Sequence, residues 1–274
     1  MAKPKNLDSE MASAVAQYRA GRHADAEASC DRMLQRTPRH APALQLKALL
    51  ALLRNEAAEA RVLIEASLKE RPRHAPSLMI AGRAAKALKD FSGAQSFFAQ
   101  AAEISPRDID AWLSCGSAAV AAADYPAATR AFDRAITLAP NNLRAHLGAG
   151  EAARNLNDPR AAIAAFERAV SLDTLHADAW FALGQAQLEV KAYREAATSF
   201  ERVLALSPGD SGAAVNLGIS RQQSGDMAAA FAAYKIAYAL SSNTFGPIAQ
   251  SLTAGSTGML LLNVERLRER LTGA

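Results

Sequence analysis

Cysteine is almost absent: Cys30 and Cys115 are the only two in 274 residues, too few for a disulfide framework. Aromatic residues make up 6% of the chain, and no stretch approaches the ~18 consecutive apolar residues that a membrane span requires. Neither sign of charge dominates, with 31 Lys+Arg against 27 Asp+Glu and a net charge of +4. That balance falls short of the footprint of a nucleic-acid binder. The local basic excess at Gln35-Arg-Thr-Pro-Arg-His40 and Glu70-Arg-Pro-Arg-His74 has no base-stacking aromatic motif beside it, and reads as a solvated, modestly positive edge. Met1 to Gln17 carries a polar or charged residue every few positions and no apolar leader segment. A soluble cytoplasmic protein is expected. What the chain does have is apolar residues, 50% of the total and rich in alanine, enough to offset chain entropy and form a core.

Catalytic and metal-binding patterns are also lacking. There is no H-E-x-x-H, no Walker loop and no G-x-S-x-G. Three of the five histidines, His40, His74 and His176, recur at one spacing and so belong to different structural units, whereas a zinc site needs three or four ligands brought together. No metal, no cofactor and no enzymatic activity are expected. Cys30 and Cys115 fall in apolar columns, as buried inert thiols do.

The order in the chain is a period. Pro4, Pro38, Pro72, Pro106, Pro140 and Pro208 are separated by 34 residues or, once, by 68, with Thr174 at the skipped place. This divides the chain into a tail (1–6), seven repeats (7–40, 41–74, 75–108, 109–142, 143–176, 177–210 and 211–244) and a terminal segment (245–274). Position 20 of the repeat is Ala26, Ala60, Ala94, Ala128, Ala162, Ala196 and Ala230; chance would produce that on the order of one time in ten thousand or less. Position 8 is always Ala or Gly, and position 24 is large from the second repeat onward: Ile64, Phe98, Phe132, Phe166, Phe200 and Tyr234.

Each unit reads as two helices, A and B. In the fourth, Ile109 to Ala122 is an alanine-rich run without breakers, Asp124-Tyr-Pro126 punctuates it, and Ala127 to Leu138 resumes the helical period. Position 15 is Gly21, Asn55, Asn157 or Gly225 in four repeats, residues that tolerate the left-handed turn closing a helix. Position 34 (His40, His74, Asp108, Asn142, His176, Asp210, Thr244) offers mostly side chains able to cap the next helix A. Two antiparallel helices approach closely when one side of the contact is small, so position 8 is expected against Ala at position 20, with the bulky position 24 between units.

This pattern, with Trp112, Gly116, Ala128, Phe132, Ala135 and Pro140 in its best-matching unit, resembles the tetratricopeptide (TPR) repeat over residues 7–244, most closely in repeats three to seven. The first two depart from it, with Glu10 and Leu44 at the usual large position 4. The resemblance implies an all-α fold, an α-solenoid of antiparallel helix pairs forming a right-handed superhelix. It implies a concave groove lined by helix A through positions 2, 5, 6, 9, 12 and 13. Carried over, those positions give Met11, Val15 and Tyr18; Leu46, Leu49, Leu52 and Leu53; Met79, Ile80, Arg83 and Lys86; Leu113; Arg144, Leu147, Glu151 and Arg154; and Phe181. The run Ala48 to Leu53 is apolar nearly all round its helix, which either tight packing or an exposed hydrophobic groove explains. The expected occupant is a peptide or amphipathic helix of another protein, apolar with acidic flanks that match Arg83 and Lys86. The family's carboxylate clamp for chaperone tails needs Lys at position 5 and Asn at position 9; no repeat has either.

In the terminal segment, Thr253 to Gly258 reads as a loop. Asn263 is placed to cap a short helix with Val264, Leu267 and Leu271 on one face, either a capping helix for the last repeat or an anchor for a partner or second copy. A protein-binding scaffold is the leading expectation. The alternatives are an accessory subunit acting in trans for a glycosyl- or sulfotransferase, or a self-assembling structural protein.

Overall fold

The computed structural model describes residues 7–253 and 264–272, the side chain of Val264 excepted. The described residues form helices joined by tight turns, and the chain divides into two compact units, Met1–Pro140 and Asn141–Ala274.

The first unit pairs α1 (Leu7–Arg19) with α2 (His23–Arg36), α3 (Ala41–Leu53) with α4 (Ala57–Glu70), α5 (Ala75–Ala87) with α6 (Phe91–Ile104) and α7 (Ile109–Ala121) with α8 (Tyr125–Leu138). The second pairs α9 (Leu143–Asn155) with α10 (Pro159–Leu172), α11 (Ala177–Glu189) with α12 (Tyr193–Leu206) and α13 (Ser211–Gln223) with α14 (Met227–Leu240). A 3-10 turn at Ser242–Thr244 then leads to α15 (Phe245–Thr253), and α16 (Val264–Thr272) ends the described chain. Odd-numbered helices up to α13 are the A helices of the 34-residue repeat, and even-numbered ones up to α14 the B helices.

Position 15 is left-handed in all seven repeats. Gly21, Asn55, Asn157 and Gly225 have φ between 61° and 90°, and Lys89, Ala123 and Lys191 adopt φ of 59° to 62° without a residue type that favours it. The A–B turn thus overrides local preference in three repeats. The expected caps are present in four repeats: Asp108, Asn142, His176 and Asp210 accept hydrogen bonds from first-turn amides of α7, α9, α11 and α13. His40 and His74 sit at the same place without such a bond; His74 Nδ1 lies 2.9 Å from Ser77 Oγ instead. Thr244 turns back to donate to the Ser241 carbonyl, because a 3-10 turn rather than an extended linker precedes α15.

The packing at position 8 differs from expectation. The alanines at position 20 are fully buried, but the group lying over position 8 is the position-24 side chain of the same unit. A methyl added to Gly82, Gly116, Gly150 or Gly184 would come within 2.5–2.8 Å of Phe98, Phe132, Phe166 or Phe200, and one on Gly218 closer still to Tyr234. Helix B therefore crosses helix A with the aromatic ring over the bare backbone. The first two repeats place Ala14 with Cys30 and Ala48 with Ile64 in those columns, all fully buried.

The two ends are finished differently. Glu10 and Ser13 of α1 face away from the stack with Arg32 and Arg36 of α2, and Arg36 pairs with Glu10, so the departure at position 4 gives the first repeat a polar outer face. At the other end, α15 starts 34 residues after α13 and continues the A-helix register, a helix the sequence pattern did not reveal. Its Ile248 and Leu252 are fully buried in one cluster with Ala214, Tyr234, Leu267 and Leu271. Leu252 stands at position 8, where its bulk leaves no room for the crossing seen in the preceding repeats. The α16 helix packs on α14 as a cap, with Arg270 over the Phe231 ring and Arg268 over Phe245. Asn263, the proposed cap of α16, and residues 254–258 of the expected loop lie outside the described residues.

Candidate functional site: the A-helix wall

Within each unit, neighbouring A helices touch directly: α1 with α3 and α3 with α5 in the first, α11 with α13 and α13 with α15 in the second. Helix A carries its own B helix on one side and the preceding B helix on the other, which leaves positions 2, 5, 9, 12 and 13 to form a wall.

In the first unit, α3 explains its unusual composition by a division of labour. Leu44, Leu46, Ala48, Leu50 and Ala51 are buried, whereas Leu49 and Leu52 are half-buried and Leu53 is 54% exposed. Leu49 and Leu52 rest on a cluster containing Ile64, Ile80 and Ala81. Tight packing thus accounts for Ala48, Leu50 and Ala51, whereas Leu53 is left facing solvent. On α5, Met79 is half-buried, and Arg83 and Lys86 are exposed beside the leucines. The Lys86 ammonium lies 3.4 Å from the Ser117 hydroxyl on α7. Met11, Val15 and Tyr18 of α1 pack partly into the cluster of Cys30, Met33 and Leu50.

Three residues expected on this wall are not there. Leu46, Ile80 and Leu113 are buried to 7%, 6% and 3% exposure. The first two are at position 6, which here turns toward the neighbouring B helix. Leu113, at position 5, is buried although Met79, Leu147 and Phe181 in the same column are half-buried. A partner could reach none of the three without unpacking the repeat.

In the second unit the wall is mixed in charge. Arg144 and Glu151 are exposed, Leu147 is half-buried, and Arg154 donates to Gln185 at 2.8 Å and reaches Glu189 at 3.7 Å on the next A helix. Phe181 is half-buried, edge-on to Phe200 with centroids 5.6 Å apart. Sequence reasoning missed a cleft of about 300 Å³ lined by Ile219 and Gln223 of α13 and Pro247, Gln250 and Ser251 of α15. It became visible only with α15 in place. Beside it, the Tyr234 hydroxyl donates to Gln222 Oε1 at 2.8 Å and lies 3.0 Å from Ser251 Oγ, and burial pushes the phenol up to about 12.

Burial pushes both thiols, Cys30 and Cys115, up to about 11, so neither is a thiolate near neutrality. Among the described residues no group of three or more His, Cys, Asp or Glu is placed to hold a metal, and no helix is long and apolar enough to cross a membrane.

Stacked helix pairs of constant length with an A-helix wall define a helical-repeat solenoid protein. The chain belongs to the tetratricopeptide repeat family: its sequence profiles match residues 75–108, 116–158, 149–211 and 191–243. No curated protein matches the chain. Among solved structures, the C-terminal part of a TPR repeat-containing protein from Cytophaga hutchinsonii is similar with a TM-score of 0.72 at 14% identity, over 89% of this chain and 100% of that one. YrrB, described as a TPR protein with an unusual peptide-binding site, gives 0.59 at 19% identity, over 68% and 95%. MamA from Desulfovibrio magneticus RS-1 gives 0.58 at 21% identity, over 62% and 96%. At these identities the likeness is one of fold.

Proposed function

We propose that this protein is a non-enzymatic, cytoplasmic scaffold that binds a segment of another protein along the A-helix wall of its first unit. Leu49, Leu52, Leu53 and Met79 take apolar side chains of the segment, and Arg83 and Lys86 take acidic groups at its flank. The observation that carries the reading is Leu53, more than half exposed on a helix whose Leu44, Leu46 and Leu50 are buried. Exposed apolar surface rimmed by charge is characteristic of protein contacts, and YrrB, of like fold, is described as peptide-binding. The apolar face of α16 is already used against α14, so self-association through it forms no part of the proposal.

The test is capture of partners from native extract by the immobilised chain, followed by calorimetry with the bound segment. Leu53→Glu combined with Arg83→Glu, both at exposed positions, is expected to weaken binding by at least about 1.4 kcal/mol, or tenfold. Undiminished affinity in that variant would remove the wall from consideration.

A further inference from the structure

Charge is unevenly divided between the two units. Residues 1–140 hold 19 of the 31 Lys+Arg and 15 of the 27 Asp+Glu, whereas residues 141–274 hold 12 of each, so the whole net charge of +4 belongs to the first unit. Within it, the turns from B to A at the first two junctions carry one pentapeptide twice, Pro38-Arg-His-Ala-Pro42 and Pro72-Arg-His-Ala-Pro76. Both turns are framed by prolines, which present their arginines from a stiff backbone. The Arg39 side chain is 86% exposed, and its nearest carboxylate, Glu70, is 3.9 Å away. Arg71 and Arg73 are exposed and have no carboxylate partner among the described residues.

The fold does not require these cations. The turns at 139–142, 173–176 and 207–210 contain no Arg or Lys and still lead into well-capped A helices. Nor are α3 and α5 neutralised from within: neither has a side-chain cap or an acidic residue in its first turn, so their dipoles add to the positive edge. The field of Arg71 is felt locally, helping burial to hold the His74 imidazole below its usual range.

We propose that this arginine edge of the first unit docks an acidic polypeptide segment in extended conformation, with carboxylates three residues apart engaging Arg39 and Arg73. Near the starts of the two helices the Ser77 hydroxyl of α5 donates to Gln45 Oε1 of α3 at 3.3 Å, so the turns that lead into them lie side by side, at a spacing on the order of the 8–10 Å between axes of packed helices. A polyproline-type chain repeats every three residues and rises about 3.1 Å per residue, so carboxylates at i and i+3 fall on one side at about that spacing. Guanidinium groups suit this role, since each can grip a carboxylate through two parallel hydrogen bonds. The surroundings disfavour other anions. Glu70, Asp108 and Asp110 interrupt the cations and would repel a continuous phosphate backbone. No large exposed apolar residue falls in the two turns to enter a bilayer, and no aromatic is there to stack on a base. The edge is distinct from the leucine wall and does not depend on it.

Fluorescence anisotropy on the full chain tests the assignment. The probe is a labelled Glu-Pro-Ala repeat peptide, compared with a peptide of equal charge whose glutamates are contiguous, a glutamine version, a single-stranded oligonucleotide and phosphatidylserine vesicles. The spaced peptide should bind tightest, and its affinity should fall with salt. Arg39→Ala with Arg73→Ala should weaken it about tenfold or more without lowering the melting temperature, whereas Arg160→Ala, on the exposed surface of the second unit, and Leu53→Glu should each leave it within about twofold. The assignment is overturned if the spaced peptide does not saturate at low salt, if the paired arginine variant binds it as the parent does, if Arg160→Ala loses as much, or if oligonucleotide or vesicles bind more tightly.

Discussion

The first two repeats and the five that follow fill the same crossing in opposite ways. Early in the chain an alanine on helix A meets a mid-sized side chain, Cys30 or Ile64; later a glycine meets an aromatic ring, Phe98 through Tyr234. The column on each helix varies, but what the pair must fill is the same gap. A close-packed interior fixes the volume of a contact rather than the identity of either partner. The difference also follows the family matches, which cover residues 75–108 and 116–243 and leave out the alanine-type repeats.

That contrast can be broken most forcefully at its tightest member. Gly218→Ala would drive a methyl into the Tyr234 ring, which cannot swing aside because Gln222 and Ser251 hold its hydroxyl. A loss of about 3 kcal/mol is expected in denaturant unfolding, overpacking outweighing the better helix propensity of alanine. A loss below about 1 kcal/mol would mean that the glycine is a helix accident, not half of a pair. A smaller effect sharpens the comparison in the second repeat. Ile64→Phe alone should cost about 1–3 kcal/mol against Ala48, and adding Ala48→Gly should recover at least about 1 kcal/mol of it in a double-mutant cycle. Strict additivity would count against a shared volume. The smallest effect concerns the cap position, where the early repeats carry histidines that make no capping bond and the later ones mostly Asp or Asn that do. His74 has its folded pKa lowered by burial and by Arg71, so the unfolded chain binds the proton more readily and stability falls as pH drops through about 6.5. His74→Asn should reduce the fall in melting temperature between pH 7.5 and 5.5; an equal fall in both proteins would show that His74 does not report on this junction.

Much of this architecture was legible in residues taken singly. The 34-residue proline and alanine columns located every helix pair, and Asp124 with Pro126 marked the start of α8 to within two residues. Gly21 and Gly225 announced left-handed turns, whereas Lys89, Ala123 and Lys191 gave no sign of them, because there the closure of the helix pair imposes a conformation that the residue itself resists. The α15 helix was hidden for a related reason. Gly246 and Pro247 argue against a helix, and only burial of Ile248 and Leu252 against the last repeat makes it form. The wall was legible in part: Leu49, Leu52, Leu53, Arg83 and Lys86 lie on it, while Leu46, Ile80 and Leu113 share the same apolar character and are core. Hydrophobicity alone does not tell an apolar residue that packs from one that waits.

Periodicity by itself determined the number of repeats, their register and their two-helix form, since a repeat writes the same steric demands at fixed intervals. Tertiary structure alone decided which side chain covers each position-8 residue, which leucines of α3 stay partly open, and how the last repeat is closed. Those outcomes depend on the angle at which one helix crosses another, a quantity set by all the side chains at the contact together.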